Sequence, residues 1–154
     1  MVTRFVVLAV LAALVAVVAI ELPGAGAAAC TAGVRNVGGA TVRTFCGPAK
    51  ATAKIGSKTF HFAGGTCAVE QGMFTVNIGS ITLGTGKPKY AYFGLDAKPP
   101  KAGAHPNQIV SWQFNGRRYS LLPVKVVLNA GLHSGSFSGP VLTGGSGSGT
   151  FSCQ

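Results

Sequence analysis

Acidic residues are what this chain lacks most. In 154 residues it has three, Glu21, Glu70 and Asp96, against 13 Lys and Arg. Paired-carboxylate acid/base chemistry and calcium binding both need several positioned carboxyl oxygens. Glu70 and Asp96 instead read as separate, solvated loop acids. Histidine is nearly as scarce: His61, His105 and His133 lie far apart, without the spacing of a metal site. No Cys-x-x-Cys occurs, which argues against a zinc ribbon or a thioredoxin-like redox pair. There is no Gly-x-Ser-x-Gly nucleophile elbow, since Gly135-Ser136-Phe137-Ser138-Gly139 has the wrong spacing. Gly145–Gly149 has no following Lys and opens no helix, so it is no phosphate loop and reads as a flexible connection. Nothing here recommends a cofactor or a metal, and catalysis is the losing hypothesis.

Beyond residue 20 the chain also lacks long apolar runs. Before it, Arg4 leads sixteen apolar residues, Phe5–Ile20, then Glu21-Leu22-Pro23-Gly24 and a small-residue site, Ala27-Ala28-Ala29. Sixteen is short of the ~20 residues that span a bilayer, and the layout is that of a cleaved export signal over residues 1–29. Residues 30–154 then form a single domain. Arg4 and Glu21 cancel, so the net charge of +10 belongs wholly to it. Such a surplus favours meetings with anionic envelope polymers or lipid headgroups. An exported protein rarely meets nucleic acid, so that partner is disfavoured.

What remains points to strands. All but Gly24 and Gly26 of the 23 glycines fall after residue 29, a composition hostile to helices. Val, Thr, Phe and Ile alternate there in short runs, without a sustained helical period. Asn115-Gly116 between two apolar-rich runs marks a type I′ hairpin over Gln108–Leu128, because that turn needs positive φ at both central residues. Its two-residue loop sets Phe114 opposite Arg117, Trp112 opposite Tyr119 and Val110 opposite Leu121. Gly56-Ser57 marks a second hairpin, with Ala51 opposite Phe62 and Ala53 opposite Phe60. Met73–Ile78 and Ser80–Leu83 read as runs hinged at Gly79, and Tyr90–Leu95 as an aromatic strand. Asp96–Asn107, with three prolines, reads as a stiff loop. Pro123 predicts a bulge or an edge position, and Thr143–Gly149 a flexible glycine-serine loop. The fold expected is all-β, an antiparallel β-sandwich or open barrel of about eight to ten short strands.

Cys30, Cys46, Cys67 and Cys153 imply two disulfides with three connectivities open. Cys67 is the favoured partner of Cys153, since Cys30 and Cys46 then close the N-terminal segment. Cys30 also stands where a bacterial lipoprotein would be acylated. Against that, Ala27 stands where a large aliphatic residue is usual, and acylation would strand an odd thiol. For a surface site, Arg117 and Arg118 at the hairpin tip join Lys87, Lys89, Lys98 and Lys101 on two proline-stiffened loops. Tyr90, Tyr92, Trp112 and Tyr119 lie near them in sequence. Basic groups interleaved with aromatics can grip an anionic polymer, although core aromatics beneath solvated cations is the plainer reading.

The stretches Gly64-Gly65-Thr66-Cys67, Phe74–Gly79 and Gly149-Thr150-Phe151-Ser152-Cys153 resemble the small exported antigens of mycobacteria and their relatives, including the lipoprotein-antigen family. The resemblance implies an envelope-associated β-sandwich with a C-terminal disulfide cysteine and no catalytic residues to carry over.

Overall fold

The computed structural model of the protein describes residues 30–154; the export signal expected at residues 1–29 lies outside the described residues. Eleven strands follow one another: β1 (Gly33–Val37), β2 (Ala40–Thr44), β3 (Lys50–Ile55), β4 (Lys58–Ala63), β5 (Gly65–Glu70), β6 (Met73–Thr82), β7 (Tyr92–Ala97), β8 (Gly103–Phe114), β9 (Arg117–Leu128), β10 (Ser134–Pro140) and β11 (Ser146–Ser152). Among the described residues a single 3-10 turn, Ala130–Leu132, interrupts them. All ladders are antiparallel, and the strands form one open sheet in the order β1-β2-β6-β7-β8-β9-β10-β11-β3-β4, with β5 on β6. The expected all-β fold is therefore present.

Both hairpins have the register that their turns dictate. Phe114 pairs with Arg117, Trp112 with Tyr119 and Val110 with Leu121, about Asn115 (φ 47°) and Gly116 (φ 76°). Ala51 pairs with Phe62 and Ala53 with Phe60. The ladder between β8 and β9 slips where Gln108 pairs with Val124 but Val110 pairs with Leu121. Leu122 and Pro123 thus oppose one residue of β8, which is the bulge expected at a proline lacking its N–H donor.

One sheet makes one core because it folds over on itself. Phe74 of β6 meets Phe151 of β11, and Phe93 of β7 meets Phe137 of β10, with ring centroids 5.7 and 5.5 Å apart. Phe60 of β4 meets Trp112 of β8 at 5.6 Å. The β3–β4 end comes back to β5 through the bridge between Pro48 and Gly65 and not through a full ladder, so the sheet stays open.

Several local expectations are corrected. Of the loop expected at Thr143–Gly149, only residues 143–145 form a turn, since β11 begins at Ser146 and is flanked on both sides by ladders to β10 and β3. Gly147 and Gly149 of β11 face inward, the first beneath Leu121 and the second beneath Phe137, and Gly135 of β10 faces inward beneath Phe151. A Cβ at Gly149 would stand 2.4 Å from Phe137 Cζ, and one at Gly135 would stand 2.6 Å from Phe151 Cζ. Alternating Gly and Ser here is a strand pattern whose inward positions must be empty. Asp96–Asn107 is likewise mostly strand, with only residues 98–102 between β7 and β8. At Gly79 (φ 81°) the long β6 changes neighbours, from β5 and β7 to β2.

The disulfides join Cys30 to Cys46 and Cys67 to Cys153, with Cα atoms 5.8 and 5.7 Å apart. Cys153 thereby ties the end of β11 to β5. The Cys30 sulfur is committed to Cys46, and a sulfur so bonded cannot also carry a thioether-linked acyl chain.

Candidate functional site

The six cations singled out from sequence do not form one site. Lys98 and Lys101 stand in the turn before β8, whereas Arg117 and Arg118 follow it at the hairpin tip. Twelve residues of β8 at about 3.3 Å each hold the two groups on the order of 35–40 Å apart. That is several Debye lengths at physiological salt, so each group acts alone.

At the hairpin end, two of the four cations already have carbonyl partners. Arg118 Nη2 donates to the carbonyls of Thr82, Gly84 and Gly86 at 3.3, 3.0 and 2.9 Å. Lys89 Nζ donates to the carbonyls of Val37 and Gly38, both at 3.1 Å. Gln113 completes the brace. Its side-chain amide accepts from Thr82 N at 3.0 Å and donates to Thr82 O at 3.2 Å, as a neighbouring strand would. Arg118 and Gln113 clamp residues 82–86 over the outer face of β8 and β9, above a cleft of about 260 Å³, while Lys89 ties the segment to the β1–β2 turn. Arg118 and Lys89 thus serve first as structural donors. Lys87 and Arg117 keep exposed heads, with the Lys87 stem lying across Gly116.

The neighbouring aromatics belong largely to the packing. Trp112 is 1 % exposed and stacks on Tyr119 at 5.4 Å, and its Nε1 has no hydrogen-bond partner among the described residues. Tyr92 lies flat over Gly94, where a Cβ would collide with the ring, and donates its hydroxyl proton to Asn77 Oδ1 at 2.7 Å. Burial pushes its phenol up to about 12; the Asp96 carboxylate adds to this and Arg43 offsets part of it. Desolvation also raises Asp96.

The acids and histidines are placed as follows. Glu70 and Asp96 are strand residues, not loop residues, on β5 and β7 with β6 between them. The pairings Glu70 to Met73 and Thr75 to Asp96 put their Cα atoms about 12 Å apart. His105 is buried, its Nε2 bonded to the Lys101 carbonyl at 2.8 Å, while His61 and His133 are exposed on other strands and turns. No cluster of three or more metal-ligating side chains occurs among the described residues.

A different surface went unread in the sequence. The outer face of β9, β10, β11, β3 and β4 carries short hydroxyl side chains in register, flanked by lysines. One row across the strands runs Lys125, Ser138, Ser148, Lys54, Thr59. The next runs Val127, Ser136, Thr150, Thr52, His61. A third places Lys50 beside Ser152. Lys54, Lys125, Thr52, Ser136, Ser138, Ser148 and Thr150, together with Val127 and Phe137, line a cleft of about 570 Å³. The available signal was the alternation Ser134-Gly-Ser-Phe-Ser-Gly and Ser146-Gly-Ser-Gly-Thr-Phe-Ser. Its period is two, with glycine and phenylalanine on one parity and hydroxyls on the other.

Fold and surface together define a disulfide-stapled, strongly basic, open-sheet β domain. Comparison with family models, curated proteins and solved structures finds no match for the chain.

Proposed function

We propose that this chain is a non-catalytic, exported domain that resides at the cell envelope or is secreted from it, of the kind represented by small exported antigens. The observation that carries this reading is the pair of disulfides. They use all four cysteines and close the chain near both ends of the described region. Such bonds persist in oxidising compartments outside the cytoplasm. Fractionation of the native host, followed by thiol labelling of the recovered protein, tests it. The expected result is envelope or medium protein that takes label only after reduction. Cytoplasmic protein with four labelled thiols overturns the reading.

A second reading is favoured by the charge pattern. Twelve Lys and Arg face only Glu70 and Asp96 among the described residues, and most of these cations are exposed. The domain on this reading binds anionic polymers electrostatically. Binding of dextran sulfate that falls steeply between 50 and 300 mM salt is expected, and absence of binding at the lower salt removes the reading.

A further inference from the structure

Resting on that second reading, we propose that the outer face of β9, β10, β11, β3 and β4 is the binding surface, and that its ligand is an anionic polysaccharide. The face is built mainly for charge and hydroxyl contact, Val127 and His61 being the exceptions in its rows. Lys125 and Lys54 stand three strands apart in one row, about 14 Å from Cα to Cα. Lys50 and Lys54 stand four residues apart on β3, about 13 Å. Between these three cations lie Ser138, Ser148, Ser136, Thr150 and Thr52, each able to donate one hydrogen bond and accept others. Lysine ammoniums meet repeated charged groups as point charges, and the hydroxyls meet the oxygens between them.

The same face discriminates among polyanions. Its rows contain no Phe, Tyr or Trp, so it has no platform for the base stacking that holds single-stranded nucleic acid, nor for a neutral sugar ring. None of the exposed large apolar side chains, Val34, Val69, Leu83, Ile109, Leu122 and Leu142, lies in these rows to enter a bilayer. The two carboxylates stand on β5 and β7, away from the rows. Electrostatic complementarity therefore selects an extended, hydrophilic anion. The surface is also preorganised. β11 lies between two full ladders, and Cys153 fixes its end to Cys67. Short Ser and Thr side chains lose little freedom when a ligand orders them.

The test compares two triple variants of the full domain that remove the same charge. One is Lys50→Gln, Lys54→Gln, Lys125→Gln on the face; the other is Lys98→Gln, Lys101→Gln, Arg117→Gln away from it. Each is titrated with dextran sulfate and with uncharged dextran at 50 mM salt. A surface ion pair is worth about a factor of two, so losing three weakens binding by about tenfold. The expected result is that loss for the face variant, at most about a twofold loss for the distal one, and no binding of uncharged dextran. Ser136→Ala with Ser148→Ala, which leaves charge unchanged, is expected to weaken binding about threefold. Equal losses in the two triple variants overturn the face while leaving general polyanion binding in place. Uncharged dextran bound as well as dextran sulfate overturns the ligand class, and no dextran sulfate binding by the unaltered domain overturns both.

Discussion

Gly149→Ala separates two opposite readings of the glycine-serine segment by the sign of its effect. Gly149 does not occupy the left-handed region, so alanine is compatible with its backbone. In a flexible loop the substitution would stabilise by about 0.4–1 kcal/mol, because alanine restricts the unfolded chain. In β11 the new methyl would stand 2.1 Å from the Thr52 carbonyl oxygen and 2.4 Å from Phe137 Cζ. One contact is backbone and the other a ring held against Phe93, so neither yields cheaply. Overpacking of this kind costs about 1–3 kcal/mol. The 125 residues from 30 to 154 imply an unfolding entropy of about 0.26 kcal/mol/K, so a cost of about 2 kcal/mol lowers Tm by about 8 °C. Ser148, the preceding residue, points outward, and Ser148→Ala is expected to move Tm by no more than about 2 °C. Calorimetry on the oxidised protein measures both. An unchanged or raised Tm in Gly149→Ala refutes the inward-glycine account of the sheet.

Three further outcomes are expected. Replacing Cys67 and Cys153 together by serine frees a chain separation of 86 residues and should cost about 4–5 kcal/mol. Replacing Cys30 and Cys46 frees 16 residues and should cost about 3 kcal/mol; urea unfolding of both double variants reads the order, and the reverse order contradicts it. Tyr92 has its folded pKa raised from 10.0 to about 12, so its contribution is fully present below pH 10 and is lost as pH rises towards 12. The total loss is about 2–3 kcal/mol, visible as falling stability in that window and absent in Tyr92→Phe. Arg118→Gln removes the donor shared by the Thr82, Gly84 and Gly86 carbonyls. Amide exchange at residues 83–89 should quicken while the β10–β11 ladder keeps its protection, and uniform protection would show that the brace is dispensable.

The parts of the fold legible in sequence are those that short-range chemistry decides. Asn115-Gly116 and Gly56-Ser57 each fix a turn, and the turn fixes the register of ten or more residues. Pro123 announces its bulge because the missing donor is a local property. Gly135 of β10 and Gly149 of β11 are different, since they are required by Phe151 and Phe137 on each other's strands. Read one residue at a time they signal flexibility; only the two-residue parity of the hydroxyls hints otherwise. The candidate cations failed for a related reason. Lys98 and Lys101 are near Arg117 in sequence, but an extended strand is the longest path a chain can take between two points. Arg118 carries no mark of its carbonyl partners, which come from a segment 32 to 36 residues away.

The central claim is an exported, fully disulfide-bonded domain, and the intact mass of the protein from its native host tests it most directly. The mass is measured with and without reduction and followed by mapping of the cross-linked peptides. The account predicts the mass of residues 30–154, a gain of four hydrogens on reduction, and linked peptides joining Cys30 to Cys46 and Cys67 to Cys153. A mass raised by acyl chains on Cys30, a retained N-terminal segment, or thiols that react before reduction would contradict it.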